Sequence, residues 1–182
     1  MKQGTPEWLE FRRKGIGATD AAVIMGLNPY KKIKALLEEK KGDKEISKNQ
    51  AMIHGNEKEP EALDAFIRQS NILMQPDIRI HPEHHWAFAS LDGISLDEKS
   101  IVEIKCPMTK RKFDEMSFFI PRMYYCQMQH QMWVTNLDSA YFLIYFEGEI
   151  DLQTVSRDEK FIERMVEKEK LFYEEYLLPS MQ

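Results

Sequence analysis

Residues 101–106, IVEIKC, alternate polar and apolar side chains, and the polar ones are types that act on phosphate esters. Side chains of a β-strand point alternately to its two faces, so Glu103 and Lys105 share one face. If the residues DEKS before this strand form a simple hairpin turn, Asp92 of the preceding strand lies opposite Lys105 and diagonal to Glu103. Gly93 can shift this register through a bulge. The pattern therefore predicts an acidic pair and a lysine on one face of a hairpin.

Such a pair suits a particular kind of metal ion. Carboxylates beside a backbone carbonyl favour a hard cation such as Mg²⁺, which prefers oxygen ligands and keeps several waters. This ion stabilises the anionic transition state of phosphodiester hydrolysis and lowers the pKa of bound water. Lys105 would orient that water or balance charge, and Glu59 of a preceding helix is a candidate fourth member. The alternative is a surface hairpin with a salt bridge, typically worth about 0–1 kcal/mol.

The overall composition is that of a soluble globular protein with a single domain. The chain has 182 residues and a net charge of -5, which argues against a nucleic-acid partner unless basic residues cluster locally, as in YKKIK and TKRK. Such runs are most often solvated faces, although the run at 110–112 follows the hairpin and is a candidate contact to a DNA backbone. No apolar run is long enough to cross a bilayer and no secretory signal opens the sequence, which predicts a cytoplasmic protein.

The elements that must position these residues follow from caps, stops and periodicity. Four helices are expected first: one begins at Thr5 and Pro6, one is capped by Thr19 or Asp20 and stops at Gly26, one spans 32–41, and a longer one spans about 48–70 with interruptions at Gly55 and Pro60. Strands are expected at 73–82, 86–96, 100–107, 139–146 and 149–155, with a helix from Pro121 and a last helix capped by Ser156 and Glu159. This order predicts an α/β fold around a mixed sheet.

The hairpin sequence SLDGISLDEKSIVEIKCP resembles the catalytic hairpin of the PD-(D/E)XK nucleases, and closely that of the lambda-exonuclease/YqaJ group of viral and prophage recombination nucleases. Three further blocks match the group in the same order: WLEFRRKGIGATDAAVIMGLNPY, HGNEKEPEALDAF and YYCQMQHQMWVT. The resemblance implies a restriction-endonuclease-like core, with a mixed β-sheet flanked by helices, in one nuclease domain over residues 1–182.

The resemblance also implies a role for each matching residue. The metal ligands would be Asp92, Glu103 and the backbone carbonyl of Ile104, with Lys105 as the lysine of the motif. Glu59 would be the helical glutamate that helps to position the metal, and its neighbours Glu57 and Glu61 remain alternatives. Leu91 stands before the aspartate where the named motif has proline.

A pocket for a terminal 5′-phosphate is implied as well, and it falls on Arg12, Thr19, Ser90 and Gln127. Arginine offers a planar fork of donors to phosphate oxygens, and Thr19 at a helix start adds backbone N–H groups and the positive end of the helix dipole. Ser90 lies on the same strand face as Asp92, so the phosphate and metal sites would be neighbours. Thr19 replaces the serine of the lambda enzyme and keeps the hydroxyl.

Two of these assignments have structural alternatives. Arg12 is also able to pair with Glu7 or Glu10 on the surface of its own helix. Gln127 and Gln131 are also consistent with a solvated stripe on a helix whose other side is buried, and for Gln131 we favour that interpretation.

Together these features predict a Mg²⁺-dependent 5′-to-3′ exodeoxyribonuclease, with Mn²⁺ as a substitute, that degrades one strand of linear double-stranded DNA. The resemblance implies that the 3′ overhang is loaded with a single-strand annealing recombinase protein, and that the enzyme is a homotrimer ring acting on DNA ends. The alternatives are a DNA endonuclease with the same metal centre and a catalytically idle DNA-binding module.

Overall fold

The computed structural model describes residues 5–42 and 49–181. The helices are α1 (Pro6–Lys14), α2 (Ala18–Ile24), α3 (Ile33–Lys41), α4 (Gln50–Ser70), α5 (Lys110–Phe118), α6 (Arg122–Thr135) and α7 (Glu159–Phe172). The strands are β1 (Met74–Ile80), β2 (Phe88–Ser95), β3 (Ile101–Lys105), β4 (Ser139–Phe146) and β5 (Glu149–Ser156). A π-helical turn, Tyr173–Leu177, and a 3₁₀ turn, Leu178–Met181, follow α7. None of the helices in these two ranges is long and apolar enough to span a bilayer.

The five strands form one sheet in the order β1-β2-β3-β4-β5. Neighbouring strands are antiparallel except β3 and β4, which run parallel. The mixed sheet is therefore confirmed, and the middle of β4 is buried on both faces. One face of the sheet packs against α2, α6 and α7 in the largest core cluster, while α4 covers the opposite face with Ala62 and Phe66. Glu103 and Lys105 share the face of Ile101, which belongs to the α6 side.

The first helices begin and end close to where the sequence predicts. The hydroxyl of Thr5 accepts the N–H of Trp8, as expected for a cap. The prediction that Thr19 or Asp20 caps α2 is wrong, because Gly17 is the N-cap and the carboxylate of Asp20 reaches back to its N–H at 3.0 Å. The predicted stops are confirmed, since Gly26 and Gly42 both adopt positive φ after their helices.

The long helix α4 runs without a break from Gln50 to Ser70, so the predicted interruptions at Gly55 and Pro60 are wrong. Residue 48, where the prediction begins, lies outside the described residues. A proline inside a helix typically costs about 3 kcal/mol. The turns after Pro60 are nevertheless stabilised, because Ala62 and Phe66 are fully buried against the sheet.

Two helix starts differ from the predictions. The basic run after β3 opens α5, which the sequence analysis did not predict; Thr109 caps it, and Phe113 and Met116 are buried. The predicted cap of the last helix at Ser156 is wrong, because Ser156 still belongs to β5. Asp158 caps α7 instead by accepting the N–H of Phe161 at 3.0 Å.

Candidate active site

The hairpin between β2 and β3 sets the geometry of the site. Gly93 pairs with Val102 and Ile94 with Ile101, whereas the predicted turn would pair Ile94 with Glu103. The register of β2 against β1 shifts across Asp92 and Gly93, because Gln75 pairs with Ile94 but Asp77 pairs with Leu91, so the irregularity expected at Gly93 is present. The predicted register, which put Asp92 opposite Lys105, is therefore wrong by two residues at Gly93 and Ile94, and Asp92 precedes the residues of β2 that pair with β3. The acidic residues and the lysine nevertheless come together, because the carboxylate of Asp92 reaches the N–H of Ile104, the residue between Glu103 and Lys105.

The different register follows from the turn. The N–H of Ser95 donates to the carbonyl of Ser100 at 2.9 Å, so the turn occupies the four residues 96–99. Glu98 adopts a left-handed conformation with φ of 56°, and the hydroxyl of Ser95 donates to Asp97. Side-chain hydrogen bonds of this kind select one turn among several of similar length.

The structure brings the hairpin residues into direct contact. The carboxylate of Asp92 accepts the N–H of Ile104 at 2.8 Å. The ammonium of Lys105 donates to the Glu103 carboxylate and, at 3.0 Å, to the Ile104 carbonyl. Glu103 is only 5% exposed, so these contacts are made away from bulk water. Asp92, Glu103, Lys105 and the Ile104 carbonyl therefore form one cluster, in which Glu103 is buried and Asp92 and Lys105 are half-buried.

Electrostatics in this cluster are strongly coupled. Burial, reinforced by the charge of Glu103, raises the pKa of Asp92 well above its usual value. Burial lowers the pKa of Lys105, but Glu103 and Asp92 outweigh this and raise it above its ordinary value. Two carboxylates and one ammonium thus occupy a desolvated space, where a further cation would be stabilised.

Of the three candidate glutamates on α4, Glu59 is the one whose pKa is influenced by the charges of this cluster. Burial raises the pKa of Glu59, and the charges of Lys105 and Glu103 act on it as well. Glu57 is exposed. Glu61 is engaged elsewhere, because it accepts hydrogen bonds from the Tyr145 hydroxyl and from the ammonium of Lys58. The geometry therefore favours Glu59 over its two neighbours.

Gln131 is part of the site, although the sequence analysis assigned it to a solvated stripe. Its amide nitrogen donates to the second oxygen of the Glu103 carboxylate, and only 2% of the residue is exposed. The amide oxygen of Gln131 has no hydrogen-bond partner among the described residues. Both Gln127 and Gln131 are buried, so the stripe interpretation is wrong for both. One sequence feature indicates this burial: the polar residues of α6 do not lie on one side of the helix. Such a distribution is typical of a helix that is buried all round.

The candidate phosphate residues come from four elements. Thr19 is exposed on the first turn of α2, Ser90 lies on β2, and Gln127 is 6% exposed on α6. Because α2, β2 and α6 share the largest core cluster, these three elements pack together. The Ser90 hydroxyl is buried and has no hydrogen-bond partner within the described ranges. A buried hydroxyl without a partner is costly unless a ligand completes it.

Arg12 projects from α1, and its guanidinium lies 4.9 Å from the ring centre of Trp8. The alternative pairing with Glu10 is not formed, because Glu10 contacts Arg13 at 3.6 Å and Lys14 at 3.0 Å. The charge of Arg12 also helps to lower the pKa of buried Asp20.

A buried ion pair holds the start of α2 in place. The ammonium of Lys40 donates to Asp20 and to the carbonyls of Arg12 and Gly15, each at 2.6 Å. Burial alone would raise the pKa of Asp20, but the charges of Lys40 and Arg12 and the hydrogen bonds from Lys40 and Gly17 together outweigh it, and the pKa is lowered. These bonds join α1, α2 and α3, and so fix the backbone that carries Arg12 and Thr19.

The donor set of the hairpin fits a hard divalent cation. Nowhere in residues 5–42 and 49–181 do three or more His, Cys, Asp or Glu side chains form a group able to hold a metal ion. The candidate ligands are instead two carboxylates, Asp92 and Glu103, and the Ile104 carbonyl. All are oxygen donors, as Mg²⁺ requires when waters complete its shell. The Lys105 ammonium already bridges Glu103 and that carbonyl, which shows that this position favours positive charge.

Comparison with known proteins places this arrangement in a family. The model of the YqaJ-like viral recombinase domain matches residues 7–138. The chain is 30% identical over 179 residues to protein YqaJ of Bacillus subtilis (strain 168), with 94% of this chain and 56% of that protein covered. It is 27% identical over 158 residues to protein R354 of Acanthamoeba polyphaga mimivirus, covering 79% of this chain and 29% of that protein. The chain thus spans about half, or less, of the length of these relatives.

Solved structures share the fold. An alkaline exonuclease, LHK-Exo from Laribacter hongkongensis, superposes with a TM-score of 0.82 at 24% identity, with 97% of this chain and 95% of that chain covered. A phage related exonuclease from Haemophilus somnus 129PT gives 0.70 at 17% identity, with coverages of 92% and 96%. The fold is therefore restriction-endonuclease-like, as the sequence predicts. With most of its length matched in order, the chain belongs to the YqaJ-like viral recombinase family.

Proposed function

We propose that this protein is a Mg²⁺-dependent 5′-to-3′ exodeoxyribonuclease that degrades one strand of linear double-stranded DNA and leaves 3′ overhangs. The observation that carries the proposal is the cluster of Asp92, Glu103, Lys105 and the Ile104 carbonyl. Its donors suit a cation at a scissile phosphate, and its lysine places a positive charge beside it. The fold shared with two exonucleases supports the same reaction class.

In this mechanism Asp92, Glu103 and the Ile104 carbonyl would hold the ion, with Mg²⁺ as the native metal and Mn²⁺ as a substitute. When bound, such an ion stabilises the anionic transition state and lowers the pKa of water. Lys105 is positioned to orient the attacking water and to neutralise charge on the phosphate. Glu59 adds negative charge on the α4 side and helps to position the ion. Gln131 holds the Glu103 carboxylate in one orientation.

Recognition of a strand end makes the enzyme an exonuclease. Arg12, Thr19, Ser90 and Gln127 are proposed to bind a terminal 5′-phosphate. The unpaired hydroxyl of Ser90 supports this role, since a phosphate oxygen would accept its hydrogen bond. Ser90 lies two residues before Asp92 on β2, so a bound terminal phosphate would determine which bond reaches the metal site.

The proposal extends to partners. The substrate is the end of a DNA duplex, and the 3′ overhang is passed to a single-strand annealing recombinase protein, in keeping with the family to which the chain belongs. We further propose a homotrimer ring through which the duplex passes, acting in the cytoplasm of a bacterium or a phage-infected host. A ring would allow processive digestion by a chain with net charge -5, because encirclement would replace electrostatic retention on the DNA.

The test is a time course on linear duplex labelled at either end, carrying either a 5′-phosphate or a 5′-hydroxyl. We expect mononucleotide release from the 5′ end in Mg²⁺, none with chelator or Ca²⁺, and slower digestion of the 5′-hydroxyl duplex. Lys105→Ala should reduce the rate by about 10²–10³-fold, as for other single groups that stabilise transition-state charge. Lys168→Ala, an exposed lysine on α7, is the matched control.

The alternative is an endonuclease with the same metal centre. Cutting of a covalently closed circle as fast as a linear duplex would establish it and refute end recognition. Full activity of the Lys105→Ala variant would refute the mechanism.

A further inference from the structure

Three groups contact the ammonium of Lys105. Two of them are oxygen acceptors, the carboxylate of Glu103 and, at 3.0 Å, the carbonyl of Ile104. The third is the ring of Tyr124, whose centre lies 5.0 Å from the ammonium nitrogen. The side chain of Lys105 is 24% exposed, so most of it is removed from bulk water. A cation binds a ring face more strongly in such a desolvated position than at an open surface.

The ring of Tyr124 is itself held in place. Tyr124 is half-buried on the first turn of α6, where its N–H donates to the carbonyl of Pro121 at 2.9 Å. Its ring packs on that of Phe142, with ring centres 5.8 Å apart and planes tilted by 32°. Phe142 is fully buried on β4 and pairs with Glu103 of β3. The strand pair that presents Glu103 therefore also supports the ring that contacts Lys105.

The hydroxyl of Tyr124 takes no part in this arrangement. In residues 5–42 and 49–181 it forms no hydrogen bond, and it is not among the buried polar atoms. Phenylalanine at this position would therefore keep the ring, its packing on Phe142 and its contact with Lys105. The property that distinguishes Tyr124 from an aliphatic residue is the electron-rich face of its ring, which attracts a cation.

A ring face attracts a cation without carrying a formal charge. A carboxylate in its place would add a third negative group beside Asp92 and Glu103 and would compete for the N–H donors of Lys105. A lysine ammonium has three donors, and oxygen atoms within the described ranges accept two of them. The remaining donor is available to a water or a phosphate oxygen. The ring meanwhile limits the positions that the flexible lysine stem adopts.

We propose that Tyr124 is a positioning residue: the face of its ring holds the Lys105 ammonium in the orientation in which it acts on the attacking water and the scissile phosphate. The inference rests on the proposed nuclease function and adds a residue to it. Tyr124 acts on the reaction only through Lys105, whereas the DNA end is bound by other residues. Loss of the ring should therefore lower kcat and leave KM unchanged.

The first test follows digestion of a 5′-phosphorylated linear duplex at saturating Mg²⁺. Tyr124→Leu should lower kcat by about 5- to 30-fold, the factor expected for one partly desolvated contact between a cation and a ring. Tyr124→Phe should restore wild-type turnover. Tyr30→Leu is the matched control and should keep the wild-type kcat, because Tyr30 lines the same groove as Tyr124 and is 82% exposed, and its ring makes no contact with Lys105 among the described residues.

A graded series separates the charge of the ring face from its shape. Phenylalanine carrying one, two or three ring fluorines is introduced at position 124. Fluorine changes the size of the ring little but withdraws electron density from its face, which weakens the attraction for a cation. The logarithm of kcat should therefore fall step by step with the number of fluorines. These variants keep the packing on Phe142, so the series stays informative if Tyr124→Leu fails to fold.

A second test requires no hydrolysis. In the full chain with ¹³C-labelled lysine, in chelator, the ε-methylene protons of a lysine held over a ring are shifted upfield by the ring current. The signal that is missing in Lys105→Ala should be shifted in wild type and in Tyr124→Phe, and unshifted in Tyr124→Leu. Lys110 is the internal reference, because its ammonium lies 4.3 Å from the ring centre of Phe113 and its signal should stay shifted in every variant.

The outcomes separate this inference from the proposed function. An unshifted Lys105 signal in wild type, or the same shift in Tyr124→Leu, overturns the inference even if the protein digests DNA. A Tyr124→Phe variant as slow as Tyr124→Leu, a flat fluorine series, or an equal loss in Tyr30→Leu also overturns it, because packing or the hydroxyl would then account for the effect. A shifted Lys105 signal in a protein that does not hydrolyse DNA would overturn the nuclease function and support the contact.

Discussion

A fully buried pair between α6 and α7 makes the stability of this protein depend on pH. One ring nitrogen of His130, Nδ1, lies 2.9 Å from a Glu169 oxygen, and the other, Nε2, lies 2.9 Å from the Phe88 carbonyl. A carbonyl only accepts, so Nε2 carries a hydrogen. The contact with Glu169 then needs one more proton, either on Nδ1 or on the carboxyl group. The folded pair therefore holds a proton that an unfolded chain releases near neutral pH.

The direction of the effect follows from both partners. Burial lowers the pKa of His130, but Glu169 outweighs burial and raises it above 6.5. Burial raises the pKa of Glu169 as well. The contribution of the pair is thus fully present below the unfolded pKa of histidine and is lost as pH rises through the folded pKa. Between the unfolded pKa of histidine, about 6.5, and its higher folded pKa, the free energy of unfolding should fall by up to about 1.4 kcal/mol per pH unit.

Glu169→Gln tests this reasoning. A glutamine amide donates to Nδ1 of neutral His130 while Nε2–H keeps its bond to Phe88, so folding no longer takes up a proton. This variant should lose the pH slope at modest cost. His130→Phe instead leaves the Glu169 carboxylate buried and unpaired, and should cost about 3–5 kcal/mol.

Urea denaturation followed by circular dichroism, at about pH 6, 7 and 8 and constant ionic strength, gives each free energy of unfolding. An identical pH dependence of the free energy in wild type and Glu169→Gln would refute the assignment of the proton to this pair.

Three further predictions concern residues that support the site. Lys40→Met should lower the free energy of unfolding in urea by about 3–5 kcal/mol, because Asp20 is left buried without its partner; a loss below 1 kcal/mol, the usual range of surface pairs, would contradict this. Gln131→Leu should raise the Mg²⁺ concentration for half-maximal digestion, or lower the rate, by about 10–100-fold; unchanged metal dependence and rate would remove Gln131 from the site. Gly93→Ala would bring a Cβ to 2.8 Å from a methyl carbon of Val102 and should cost about 1–3 kcal/mol in thermal unfolding, whereas an unchanged melting temperature would show that the strands relax freely.

The hairpin shows which features of the site can be predicted from the alternation of polar and apolar residues, and which cannot. Alternation places Glu103 and Lys105 on one face whatever the tertiary fold, because it is a property of a single strand. The predicted register was off by two residues at Gly93 and Ile94, yet Asp92 still reaches the cluster, because its carboxylate accepts the N–H of Ile104. The pairing of β2 residues with β3 residues depended on the turn conformation of Glu98 and on the hydrogen bonds of Ser95, which no periodic pattern reveals.

Helix α6 shows where the same reasoning failed. Every residue from Cys126 to Val134 is buried, so the helix has no solvated side on which to place its glutamines. Its polar groups find partners on other elements: Gln129 bonds to the Ser156 carbonyl and Gln131 to the Glu103 carboxylate. Burial of a helix face depends on what covers it, and that information comes from distant parts of the chain.

The sequence by itself therefore determined the fold class, the acidic pair and its lysine on one face, and the family, because these depend on local alternation and on ordered motifs. The tertiary structure alone decided that Glu61 is engaged by Tyr145 and that Gln131 bonds to Glu103. These are contacts between residues far apart in the chain. Only the packing of whole elements against one another brings them together.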